Sequence, residues 1–201
     1  PNDRSGLPEW TTKAERQGLD PLGMQTTSVA LYQKLIPGIS NVTLRMRYYG
    51  LYAWLAQNYA KKVGDTSVDA WCRYLRRAEA LYALAAVHHG GESGVAGSNW
   101  AGRLLANTTK GRVKFLDGTD RENGKPQYLK QKFGAFGAAY GSQLVEIGIL
   151  EYISDHSIPV PTDGVGDGLA HAFNNAIGDS GEIFLKAATL GTVTKKGLAN
   201  L

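Results

Sequence analysis

Cysteine is almost missing from this chain of 201 residues: Cys72 is the only one. An internal disulfide is therefore excluded, and a reducing, cytoplasmic setting is expected. Long apolar runs are missing too. Without about 18 consecutive apolar residues a membrane-spanning helix is excluded, and residues 1–8 hold no apolar stretch of the signal-peptide kind. The phosphate-cradling pattern Gly-x-x-x-x-Gly-Lys-[Ser/Thr] does not occur, because Gly90-Gly91-Glu92-Ser93-Gly94 has no lysine after it. Gly164-Val-Gly-Asp-Gly168 lacks the strand context of a dinucleotide site. No Gly-x-Ser-x-Gly elbow is present, so the usual setting of a hydrolase serine is absent.

Metal and nucleophile chemistry has equally little to stand on. His88 and His89 are neighbours at a predicted helix end, so their side chains diverge and cannot share one ion. His156 falls in a predicted turn and His171 on a helix. Residues 117–122 (DGTDRE) lack the ligand spacing of a calcium loop. Cys72 lies on an apolar stripe and reads as a core residue. We therefore expect no catalytic residue, no cofactor and no metal.

What is present describes a globular protein. Hydrophobic residues make up 43% and charged residues 20%, with four Trp, ten Tyr and five Phe to fill a core. The length suits one ordinary domain or two small ones. The first residue is Pro1 rather than Met, and residues 197–201 stop within a helix-like run. This reads as a piece of a longer chain, or as a chain whose ends were left out.

The pattern along the chain is mostly helical. Residues 1–25 look irregular, and 26–36 fit a short helix ended by Pro37-Gly38. A long helix is expected over 41–62, with Leu44, Tyr48, Leu51, Leu55 and Tyr59 at spacings of three and four facing the core. Thr66-Ser-Val-Asp69 reads as a capping-box variant opening a second long helix to about 88. Its apolar stripe includes Val68, Trp71, Cys72, Leu75 and Tyr82, with Arg73, Arg76 and Arg77 on the other side. These two helices should pack as an antiparallel hairpin. Residues 90–97 form a glycine-rich loop, and Ser98 caps a short helix to 107. Residues 108–126 are basic and turn-rich, with a strand over 112–116 and a turn at Asp117-Gly118. Helices follow over 127–133, 138–147, 169–177 and 181–190, with strand-like segments at 148–153 and 158–160.

Two stretches resemble known families. Leu144-Val-Glu-Ile-Gly148-Ile-Leu150, a turn, then Pro161-Thr-Asp-Gly164 and Leu169-Ala-His-Ala-Phe173 resemble the wording of a winged helix over residues 127–177. Leu19-Asp-Pro-Leu-Gly-Met-Gln25, Leu35-Ile-Pro-Gly38 and residues 45–55 (RMRYYGLYAWL) resemble an uncharacterised group of bacterial proteins found near restriction and phage-defence genes. That likeness implies a bacterial defence component and brings no catalytic residue with it. The expected fold class is mainly α: a helical bundle or hairpin, then a winged-helix-like segment with a small β-hairpin. The expected layout is a helical domain at 1–107, a basic loop at 108–126 and a winged-helix-like segment with a C-terminal helix at 127–201, able to pack as one domain.

Charge separates along the chain. Residues 1–40 balance, residues 41–132 carry fifteen basic and seven acidic groups (net +8), and residues 133–201 carry three and seven (net −4). A polyanion is the partner such a centre would meet. Lys110, Arg112, Lys114, Lys125, Lys130 and Lys132 are the expected nucleic-acid contacts, to phosphates of DNA or RNA rather than to bases. The predicted helix at 138–147 carries Glu146 and no Lys or Arg, which suits no base readout. The alternative is a protein-interaction subunit, docking a partner or a second copy through Arg45, Tyr49, Tyr52, Arg73, Arg76 and Arg77. No membrane contact is expected.

Overall fold

The computed structural model describes residues 24–37, 42–43, 45–108, 111–120, 127–153 and 157–201. The chain divides into two compact units at Pro37/Gly38. In the first unit, helix α1 (Met24–Leu35) matches the expected short helix. The second unit is mainly helical with two small antiparallel sheets.

Helix α2 (Arg47–Asn58) is buried on every side, from Tyr48 to Gln57. Too many aromatics for one helix face point to burial on two sides in a bundle, and the burial goes further, since Tyr, Trp, Leu and Ala occupy all faces of this helix and each finds a neighbour. Its closest companion is α7 (Val165–Ile177) rather than the next helix in sequence. Gly50 makes that approach possible, because a Cβ there would lie 2.6 Å from the Phe173 ring. A π-helical turn (Tyr59–Val63) extends α2 and stops at Gly64, whose φ of 63° places its N–H on the Tyr59 carbonyl.

Helix α3 (Val68–His88) is the longest described element, about 31 Å by its rise per residue. Its N-cap is Ser67, one residue later than expected: the Ser67 hydroxyl accepts from Ala70 N–H, and Asp65 accepts from Ser67 N–H. The helix serves two cores. Trp71, Leu75 and Ala78 join α2, α6 (Gly141–Glu146) and α7 in one, while Ala80, Leu81 and Leu84 join Trp100, Val113 and Val193 in the other. α2 and α3 pack antiparallel, as expected: Tyr48 meets Tyr82, Tyr52 reaches Glu79, and Tyr59 lies against Trp71 and Tyr74.

α4 spans Ser98–Asn107, with Gly97 rather than Ser98 at its cap position. Strand β1 (Arg112–Lys114) does not turn back at Asp117-Gly118, because those residues belong to the short helix α5 (Leu116–Thr119). Its partner is β4 (Thr192–Thr194), which the sequence pattern did not reveal; Val113 pairs with Val193 at the middle of the ladder. Residues 127–133 are not helical. Their carbonyls point at side chains of α3 instead of closing a helical turn. A π-helical turn (Phe136–Tyr140) leads into α6. The expected hairpin is present as β2 (Leu150–Tyr152) paired with β3 (Pro159–Pro161); its turn, with His156, lies outside the described residues. α7 begins four residues earlier than expected, and α8 (Ser180–Leu190) matches its prediction. The C-terminal run forms the short helix α9 (Lys195–Leu198), capped by the Thr194 hydroxyl. No described helix is long and apolar enough to cross a membrane.

Two glycines in the first turns of α7 separate packing from propensity. A Cβ on Gly166 would strike the Ile149 carbonyl and the Pro161 backbone, neither of which can rotate away. A Cβ on Gly168 would meet nothing within 4 Å. Gly166→Ala should lower the unfolding free energy by about 2–3 kcal/mol through overpacking, whereas Gly168→Ala should raise it by about 0.5–1 kcal/mol through helix propensity. Urea denaturation of the two variants checks the opposite signs.

Candidate functional site

A polar stripe runs along α3. Cys72, Arg76 and Glu79 recur at spacings of four and three, hence on one face. All three bond backbone groups of residues 119, 129, 131, 132, 135 and 136. Cys72 Sγ–H donates to the Lys132 carbonyl at 2.7 Å. Arg76, 1% exposed, donates from Nε to Thr119 O (2.8 Å), from Nη1 to Gln131 O (2.6 Å) and from Nη2 to Leu129 O (3.0 Å). Glu79 is fully buried and accepts from Ala135 N–H (2.9 Å), Phe136 N–H (2.8 Å) and the Tyr52 hydroxyl (2.8 Å). Gly134, at φ 58°, lies so close that a Cβ would overlap the Glu79 carboxylate. Burial pushes the Glu79 carboxyl up to about 7, against the three donors and Arg76, which hold it down. Burial and the Glu79 charge both push the Tyr52 hydroxyl well up.

This stripe corrects the expected interface. Arg76, Tyr49 and Tyr52 are buried, so none is a docking residue on this chain's surface. Arg76 was placed on a solvated side because its targets are backbone carbonyls, which carry no sequence signature. Tyr49 packs edge-on against Tyr140, with centroids 5.8 Å apart. Arg45 is half-buried and holds the loop after α3, donating to Ser93 O at 2.7 Å and Gly91 O at 2.5 Å. Arg77 grips Asp120 through two nitrogens, at 2.8 and 3.2 Å, and donates to Thr189 O. Arg73 is exposed. Glu79 was missed altogether, although an acid three residues after Arg76 and seven after Cys72 marks the same stripe.

The expected phosphate contacts fall in different places. Lys110 and Lys125 lie outside the described residues. Lys130 is exposed. Lys132 is exposed but pairs with Asp69 at 3.0 Å, and its charge holds that carboxyl below the usual range. Arg112 and Lys114 stand on the outward face of β1, opposite buried Val113. Their ladder partners are Thr194 and Thr192, so two cations and two threonines share one face. Exposed Lys195 and Lys196 follow directly on α9. These last two were never counted among the contacts, because nothing in the sequence pairs residue 112 with residue 194.

The chain matches no family model, no curated protein and no solved structure.

Two outcomes test the polar stripe. A carboxyl raised on folding binds a proton more tightly in the folded state, so its contribution is full below about pH 4.5 and is lost as pH climbs toward about 7. Stability should fall across that window by on the order of 3 kcal/mol at most, then level off. Glu79→Gln should remove the slope whatever its offset, as read by urea midpoints at several pH values between 5 and 8. Separately, Arg76→Ala should cost about 3–5 kcal/mol, because it orphans buried carbonyls and an uncompensated carboxylate. Arg76→Lys should recover only part, since a point charge cannot reach three carbonyls in one plane. Limited proteolysis should then cut first between residues 119 and 135.

Proposed function

We propose that this chain is a non-catalytic nucleic-acid-binding component that holds phosphates on the outward face of the β1–β4 sheet. The observation that carries the reading is the pairing of Arg112 and Lys114 with Thr194 and Thr192 on one face, with exposed Lys195 and Lys196 directly after β4 in the chain. Cations and hydroxyls on a short twisted ladder suit phosphate oxygens, which supply affinity without sequence information. The helix α6, with Glu146 and no basic residue, supports contact to the backbone rather than to base edges. The order α6, β2, β3, α7 supports a winged-helix-like reading of this part of the chain. The resemblance of residues 19–60 supports a cytoplasmic role in a bacterial defence system. Lys130 is a secondary contact, and Lys132 contributes less because Asp69 already neutralises it.

The alternative role, a protein-interaction subunit, is favoured by one observation on α1. Leu31, Tyr32, Leu35 and Ile36 are exposed at helical spacing, with Leu35 at 71%. A stripe of this kind suits a partner helix.

Fluorescence anisotropy with a labelled DNA duplex at about 50–200 mM salt separates the two readings. The unaltered protein should bind, with log affinity falling linearly against log salt. Replacing Arg112, Lys114, Lys195 and Lys196 by Gln should flatten that slope by up to four contacts at about 0.9 each. Lys132→Gln should change it little. No binding at about 50 mM salt, or an unchanged slope in the fourfold variant, would leave the interaction-subunit role standing.

A further inference from the structure

A groove of about 1030 Å³ opens among α2, α3, α7 and α8. Its volume lies at the upper end of what small-molecule sites enclose. The floor is apolar: Phe173, Ile177 and Phe184 are partly exposed over buried Leu51 and Trp54. The Trp54 ring lies 5.8 Å from Phe173 and 6.0 Å from Phe184, centroid to centroid. Its indole N–H is donated to Asn174 Oδ1 at 2.9 Å, so the indole offers the groove no free polar atom. The same groove is lined by Arg45, Arg47 and His89. Among the described residues no acidic side chain lines it.

The two arginines differ in what they have left to give. Arg45 spends one N–H on Ser93 O, one on Gly91 O and one on the Tyr82 hydroxyl, which leaves two of its five donors. Arg47 is exposed and has no hydrogen bond or ion pair among the described residues. An apolar trough lined by two arginine side chains and by no described acidic side chain favours negative charge. It is complementary to a molecule with an apolar body and a negative head.

We propose that this groove binds a small amphiphile, its single oxyanion head held by Arg47 and the free donors of Arg45, its apolar body laid along Phe173, Ile177 and Phe184 above Trp54. Binding here is independent of the phosphate-holding face, since the two surfaces share no residue. A carboxylate and a phosphate monoester both present the required oxyanion, and chain-matched probes distinguish them.

The test uses laurate, dodecyl phosphate and dodecyltrimethylammonium, each below its micelle-forming concentration, read by calorimetry, melting temperature and tryptophan fluorescence. At least one of the anions should bind one-to-one, raise the melting temperature and alter the fluorescence, whereas the cation should do none of these. The tighter anion identifies the head. Arg47→Glu should weaken that anion at least about tenfold through lost charge complementarity, and Ala176→Trp, at an exposed position on the groove wall, should block it by filling the space. Arg112→Gln with Lys114→Gln should leave it unchanged, which keeps this result separate from DNA binding. Equal binding of the cation, binding at many sites, no binding of either anion, or unaltered affinity in Arg47→Glu would each overturn the proposal.

Discussion

The buried contacts that Arg76 and Glu79 make with backbone groups of residues 119–136 are what the second unit is organised around. Of that stretch, residues 127–133 cross α3 without helix or strand, so their backbone groups need partners elsewhere. One guanidinium takes three of its carbonyls, and one carboxylate takes two of its N–H groups. Buried groups of opposite charge so placed are costly to desolvate and more costly to unpair. Residues 127–136 thereby become a fixed wall against α3. Gly134 is part of the same arrangement, because only a residue without Cβ fits against the carboxylate.

From that wall the two cores follow. Tyr52 reaches from α2 to Glu79, which ties the fully buried helix to the stripe on α3. Tyr48 stacks beside Tyr52 and accepts a hydrogen bond from Ala96 N–H, and Tyr128 donates to Ala96 O. The tyrosines therefore work as apolar fillers with polar tips that fasten loops. Rings of Tyr82, Phe136, Tyr140, Phe173 and Phe184 pack around α2, which is why Tyr48, Tyr49 and Tyr52 serve the interior.

The surfaces left over divide by chemistry. β1 and β4 join residues some eighty positions apart into one basic, hydroxyl-bearing face. The groove beside α2 collects apolar rings and arginines. Both depend on the C-terminal residues: β4 supplies half of the ladder, and Asn200 and Leu201 line the groove. The acidic balance of residues 133–201 did not foretell this, because net charge over a stretch says nothing of where each side chain points.

Sequence periodicity determined the longer helices of this protein, though not α5 or the non-helical residues 127–133, since a three-and-four spacing is a local property that survives without knowledge of neighbours. It placed α1, α3, α4, α8 and the β2–β3 hairpin, the last through Gly148 and the alternation around it. The mainly α class follows from the same reasoning, as does the core position of Cys72. What only the tertiary structure decided is which polar groups meet. A bond from Arg76 to a carbonyl leaves no mark at the accepting residue, because every residue has a carbonyl. A three-residue strand such as β4 has too few side chains to show a period, and it exists only because β1 offers it an edge. The binding face and the groove are both of this kind: their residues lie far apart along the chain, and long-range packing alone makes them neighbours.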